Sequence, residues 1–395
     1  MNVPKLRFKE FTDEWKKVEL DKLYEFKNGL NGDRSLYGKG VELINVSDIL
    51  NNTYITSKVI NGKININENT LRKNSVEYGD ILFQRSSETF LEIGTSNVYL
   101  DNKLVTFSGF VIRGKRKKDN INNPLFINYV LKSPTLRKKI IICGSGAQHY
   151  NIGQEDLKRI TIFLPSIKEQ KKIADMLELL DKKIELQTKK IEALKLFKKG
   201  LFDIQLKING KESIMFDDFL DEVTEKSSIQ NQYPVLSSTS KGLFLQSDYF
   251  NKQASSENNV GYKILKRNQL VLSPQNLWMG NININNIFDI GIVSPSYRIY
   301  NIDIKKMDLN YFNYWIKTPK ALYSYLISSE QGASIVRRNL NIEMFNQISL
   351  KVPKLEKQHI IGNKIYQFNL KINFEEEKLK QLHKLKKALL QNMFV

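Results

Sequence analysis

Apolar residues at Ile173, Leu177, Leu180, Ile184, Ile191, Leu194 and Leu201 step by four and three in alternation, with Gln187 and Lys198 in two polar positions. A period near 3.5 marks a coiled-coil seam, so a helix is predicted over 165–207. After Pro165 only Gly200 interrupts it. At ~1.5 Å per residue it would run roughly 60 Å, longer than a compact domain needs. The pattern then returns over 353–394, with Ile361, Ile365, Phe368, Ile372, Leu379, Leu382 and Leu389 each 188 positions after its counterpart, and Glu375 and Lys386 in the polar slots. Two over-long copies at one offset are expected to pack on each other as a spacer, with a globular unit at each end.

Outside them the periodicity drops to two. Short β-rich runs are predicted at 41–46, 54–60, 81–84, 95–100 and 104–113, after an extended entry strand, a helical turn at 21–26 and a Gly/Asn-rich loop at 28–40. A helix over 124–142, broken near Pro134, a helical turn at 151–158 and a strand at 160–164 lead into the first long helix. The second half repeats the order: a short helix at 215–223, strands at 233–238, 243–246, 270–273 and 290–300, a helix at 309–328 and a strand at 348–352. Asn128-Tyr129-Val130-Leu131-Lys132-Ser133-Pro134 matches Asn313-Tyr314-Trp315-Ile316-Lys317-Thr318-Pro319. Gly146-Ala147 matches Gly332-Ala333, and Asn151 matches Asn339. Residues 28–105 and 230–290 share little. One frame carrying unlike inserts suggests one architecture reading two targets.

Charge sharpens this picture. The 395 residues carry a formal net charge of +19, which suits a polyanionic partner such as nucleic acid. The single cysteine, Cys143, excludes an internal disulfide and is read as inert core. Charges from Lys5 onward argue against a secretory signal, and no apolar run reaches the ~18–20 residues of a membrane span, so a cytoplasmic protein is expected. Catalytic chemistry is not evident. No phosphate-binding loop or dinucleotide fingerprint occurs, and Gly144-Ser145-Gly146 after a helix reads as a C-cap. His149, His359 and His383 lack metal-ligand spacing and read as surface residues.

Base reading needs donors and acceptors backed by cations on phosphates. The unlike loops supply both. In the first half the candidates are Arg34, Tyr37 and Lys39 in the Gly-rich loop, and Gln84, Arg85 and Ser86 at a strand end, with Gln148 and His149 further on. In the second half they are Ser238, Thr239 and Lys241, Gln275, Asn276 and Trp278, Arg298, and Arg337 with Arg338. Lys115-Arg116-Lys117-Lys118 reads as a solvated hairpin tip. A sequence-neutral binding scaffold with a coiled-coil docking rod is the alternative. It gives no reason for the two sets of loops to diverge.

With these residues in view the chain resembles the specificity (S) subunits of type I restriction–modification systems. The resemblance rests on Leu164-Pro165, Glu169-Gln170-Lys171, Ile173-Ala174, Leu177, Asp181 and Ile184, on their second copy Val352-Pro353, Lys357-Gln358, Ile361, Ile365 and Ile372, and on the opening Pro4-Lys5-Leu6-Arg7-Phe8 with Trp15. Lys357 and Gly362 depart from the first copy's Glu and Ala. The resemblance implies an α+β chain of two α/β target-recognition domains, 1–164 and 208–352. They are separated by two long helices, 165–207 and 353–395, in an antiparallel coiled coil. It implies a non-catalytic subunit that binds double-stranded DNA at a bipartite asymmetric site. Two methyltransferase subunits using S-adenosylmethionine, and optionally restriction subunits using ATP and Mg2+, would assemble on it. No cofactor is implied for this chain. Half-sites about one helical turn apart, ~10 bp, are expected.

Overall fold

A computed structural model describes residues 2–117, 122–146, 149–209, 212–249, 258–331 and 337–395. The chain divides into two compact units, residues 1–189 with 377–395, and residues 190–376. Both are built on the same frame, with sheet-rich bodies joined to two long helices.

In the first unit the entry strand Lys16–Glu19 pairs antiparallel with Thr161–Leu164, the strand that leads into Pro165. The second unit repeats this with Glu212–Met215 against Ser349–Val352, ahead of Pro353. Each unit then carries a four-stranded antiparallel sheet. In the first its order is Tyr24–Asn28, Val111–Arg116, Ile81–Gln84, Ser96–Val98. In the second it is Leu220–Val223, Arg298–Ile302, Leu270–Leu272, Ile282–Ile284.

The inner strands Ile81–Gln84 and Leu270–Leu272 are buried on both faces, which explains their near-continuous apolar runs. Successive side chains on a strand point to opposite faces. Ile81 and Phe83 accordingly join the core beneath the frame helices, and Leu82 joins a second core under the insert. Leu270 and Leu272 against Val271 repeat this in the second unit. The frame helices Pro124–Lys132 and Pro134–Ile142 break where Ser133 caps a helix that opens on Pro134, and Thr318 does the same ahead of Pro319.

The long helices span Ile167–Asn209 and Leu355–Asn392. Ile173, Leu177, Leu180, Ile191, Ile361, Ile365, Ile372 and Leu382 are buried, and Ile184, Leu194, Phe368 and Leu379 are half-buried. Their pairing is antiparallel. Within the second unit Lys190 meets Glu375, and eight residues on Lys198 donates to Asn369 Oδ1 at 2.8 Å. Within the first, Lys386 and Asp181 form an ion pair at 2.5 Å. Lys198, Glu375 and Lys386 of the polar slots thus find partners on the facing helix, and by the 188-residue offset Lys198–Asn369 is the counterpart of Lys386–Asp181.

A glutamine ties frame to helix in both units. Gln170 Nε2 donates to the Pro165 carbonyl at 2.9 Å while its Oε1 accepts from Asn123 N at 2.9 Å. Gln358 does the same with Pro353 and Asp308 N, at 3.0 and 3.1 Å. Asn123 and Asp308 are themselves helix N-caps.

Several expectations are corrected. Residues 215–223 form the end of one strand, a 3-10 turn Phe216–Asp218 and a second strand, because each flank finds a distant sheet partner. Residues 54–60 hold a 3-10 turn, Ser57–Val59, instead of a strand. The loop at 28–40 ends in the strand Tyr37–Ile44. Cys143, half-buried, is the C-cap of its helix. Gly146, at φ +135°, turns the chain against the His149 carbonyl instead of capping that helix. Lys115 and Arg116 lie in the strand Val111–Arg116, so the basic run is not a free tip. Its Lys118, and also Ala147, Gly332 and Ala333, lie outside the described residues.

Candidate nucleic-acid interface

In each unit one end of the sheet gathers the insert loops. In the first, the strand Ile81–Gln84 ends at Arg85, whose backbone is held on both sides: Arg85 N donates to Phe110 O at 2.9 Å, and Arg85 O accepts from Ile152 N at 3.1 Å. Its Nη1 donates to the Gly109 carbonyl at 3.3 Å. Ser86–Ser87 pairs antiparallel with Tyr150–Asn151, and Ser86 Oγ donates to Asn151 Oδ1 at 2.5 Å. The loop bearing Arg34, Tyr37 and Lys39 joins the same edge, since Leu30 bridges Ser108 and Leu30 N donates to Phe107 O. Arg34, Tyr37, Lys39 and His149 are exposed, and Arg85 and Ser86 are half-buried. Gln84 is interior, with Nε2 donating to Ser86 O at 3.0 Å, so it shapes the loop and is not itself accessible. Gln148 lies outside the described residues.

The second unit builds the same edge from other residues. Gln275, Lys241 and Arg337 are exposed, and Thr239, Asn276 and Trp278 are half-buried. Thr239 Oγ1 accepts from Lys241 N at 3.1 Å, which fixes that turn. Arg338 N donates to Gln275 O at 3.1 Å, so here too a backbone hydrogen bond ties the insert loop to a later strand. Three candidates are committed to partners within the protein. Ser238 is 2% exposed, donates to Asn281 Oδ1 at 2.8 Å and accepts from Asn283 Nδ2 at 2.7 Å. Arg298 is paired with Glu222 at 2.5 Å. Arg338 spends Nε and Nη2 on Ser329 Oγ and O, at 2.9 and 2.5 Å, and pins its hairpin. Strand period alone could not place Ser238 inward, because the partners that satisfy it lie more than forty residues away.

Sequence reasoning missed Phe90, Leu91 and Phe110, large apolar side chains left exposed on or beside the first unit's edge. An aromatic flanked by Gly, Ser, Thr or Glu within a loop was the available signal. Chemically these edges combine guanidinium forks, amides and aromatic surface, the groups that read base edges and hold phosphates. Among the described residues no three His, Cys, Asp or Glu side chains gather as a metal site, and no helix is long and apolar enough to cross a membrane.

A lysine at the matched position of each frame anchors the inserts. Lys132 Nζ donates to Thr53 O at 2.7 Å and Asn97 Oδ1 at 3.2 Å, and Lys317 Nζ donates to Gly280 O at 2.8 Å. Burial pushes Lys132 down to about 7, with Lys386 nearby adding to the effect and Asp181 opposing it. Burial likewise pushes Lys317 down to about 8. Both lie below the unfolded lysine value of ~10.4. Between those limits the unfolded chain holds the extra proton, so stability from these groups rises with pH above about 7 and is absent below. Replacing Lys132 by Met is therefore expected to flatten the rise in urea midpoint between pH 7 and pH 10. Parallel curves for the two proteins would refute the assignment.

Known proteins bear on this architecture. Residues 12–196 match the family model of the type I restriction modification DNA specificity domain. A Methanocaldococcus jannaschii protein assigned as the specificity subunit of the MjaX type I restriction enzyme is 25% identical, across 98% of this chain and 95% of its own length. The EcoKI specificity subunit of Escherichia coli K12 is 24% identical over 42% of this chain and 36% of its own length. In fold, the chain is similar to the type I restriction–modification S subunit of M. genitalium, with a TM-score of 0.59 at 14% identity, covering 100% of this chain and 99% of that one. A chain from a structure of type I R-M complex assembly gives 0.52 at 13% identity, over 96% and 97%. Two units on one repeated frame, tied by matched glutamines to a pair of antiparallel helices, together with these matches, make the chain similar to the type I restriction–modification specificity subunits, and residues 12–196 carry the match to their DNA specificity domain.

Proposed function

We propose that this chain is the non-catalytic subunit that reads a bipartite, asymmetric DNA site. Each unit takes one half-site through its sheet-end loops. The observation that carries the reading is the contrast within the repeat. Strand order, glutamine clamp and anchoring lysine recur, while the loops at the sheet ends carry different side chains. A net charge of +19 supplies the sequence-independent attraction to phosphates.

The long helices fix the gap between half-sites and dock the catalytic subunits. Their outer faces support this, since Leu186, Phe197, Phe374 and Leu385 are largely exposed, apolar residues of the kind partner interfaces cover. The partners are two methyltransferase subunits that use S-adenosylmethionine, with restriction subunits using ATP and Mg2+ where the system has them. A cytoplasmic location follows from that work.

Modified-base sequencing of the host genome, with the gene intact and deleted, tests the reading. One bipartite motif should carry methyladenine on both strands and lose it on deletion. Replacing residues 20–150 by the equivalent segment of another family member should then change one half-site and leave the other. Both half-sites changing together would overturn the assignment of one reader per unit.

A further inference from the structure

The two units differ at one place where their frames are otherwise alike. In the first unit, residues 2–15 form an arm, looped back on itself where Trp15 N donates to Asn2 O at 3.0 Å, that lies over the start of the central helix and the end of the C-terminal helix. Leu6 N donates to Asn392 O at 2.8 Å. Arg7 forms a two-pronged pair with Glu169 at 2.7 and 2.8 Å, and Glu169 is buried beneath it. Phe8 packs on the core that includes Leu389, Leu390 and Met393, and Lys172 Nζ sits 4.5 Å from its ring centroid.

The second unit has no copy of the arm, because the residues ahead of its entry strand belong to the central helix. The equivalent place is a cavity of about 590 Å³, lined by Leu201, Phe202, Pro353, Lys357, Ile360 and Lys364. Among the described residues no segment covers it. By the 188-residue offset Leu201 stands for Leu389, Ile360 for Lys172 and Lys357 for Glu169. The floor has therefore become more apolar, with Ile360 left 53% exposed, and the charge at the arm's anchoring position has reversed.

We propose that this groove receives an extended segment of a partner protein, with two apolar side chains flanking an acidic one: the arm's Leu6-Arg7-Phe8 pattern with its charge inverted. The apolar pair covers Leu201 and Ile360, and the carboxylate meets Lys357. The arm of a second copy does not fit, because its Arg7 would face Lys357.

Fluorescence anisotropy on the full chain tests this with labelled peptides of residues 2–12, unaltered and with Arg7→Glu. The Arg7→Glu peptide is expected to bind saturably and at least tenfold tighter than the unaltered one. Lys357→Glu in the chain should invert that order, and Ile360→Asp should remove binding of both. Both positions are exposed, so the variants should keep the wild-type melting curve. Absence of saturable binding, equal binding of a scrambled peptide of the same charge, or a preference unmoved by Lys357→Glu would each overturn the proposal. Equal or tighter binding of the unaltered peptide would overturn it in favour of a second copy.

Discussion

Inserting one heptad into both long helices, between Lys189 and Lys190 and between Glu376 and Glu377, is expected to lengthen the gap between half-sites by about three base pairs while both half-sites stay as they were. These positions are where the two compact units meet along the chain, so every contact inside either unit is left in place. Seven residues add about 10.5 Å of helix at ~1.5 Å each, close to three base pairs at ~3.4 Å. A heptad also keeps the alternating three-and-four seam on one face. Four residues added to one helix alone would step the seam out of register with its partner. The original site would then bind near the non-specific level, a loss of about 10³ or more. Methylation mapping and competition binding read both effects. An unchanged gap, or altered bases within a half-site, would sink the spacer reading.

Asp181→Ala carries the second large effect. The Asp181 carboxylate, 8% exposed, accepts from Tyr129 Oη at 2.8 Å and pairs with Lys386 at 2.5 Å. Removing it strands a cation and a hydroxyl against the helix seam, and breaking a buried pair from one side costs about 3–5 kcal/mol. Asp181→Asn should cost far less, about 1 kcal/mol. The second unit already uses that arrangement, with Asn369 accepting from Lys198 at 2.8 Å. There burial holds Lys198 below the ordinary lysine value, as expected where no carboxylate balances the charge. Denaturant melts of the three proteins decide it. Equal losses for Ala and Asn would show that packing, not the charge, matters at this position.

Both experiments depend on features that lie open in the chain. Seam spacing, the Pro134 break and the 188-residue offset are local or periodic, so they show without coordinates, whereas the helix expected unbroken over 309–328 is split ahead of Pro319. The candidate site was legible only in outline. The loops holding Arg34, Arg85, Lys241, Gln275 and Arg337 were identifiable from their polar, unlike composition. Which of their side chains are accessible was not, because accessibility depends on neighbours distant in sequence.

What the sequence by itself determined is therefore the pair of long helices, the repeated frame and the places where the halves diverge. Each follows from residue spacing along one segment. Only the tertiary structure decided the rest. Lys16–Glu19 pairs with Thr161–Leu164 across more than 140 residues, and Leu270–Leu272 feeds two cores at once. Gln84, Ser238 and Arg338 turn inward to hold loops, and an arm fills a groove in one unit while its counterpart stands open in the other. These outcomes rest on hydrogen-bond partners and buried faces that meet only when distant segments fold together. No local pattern encodes them.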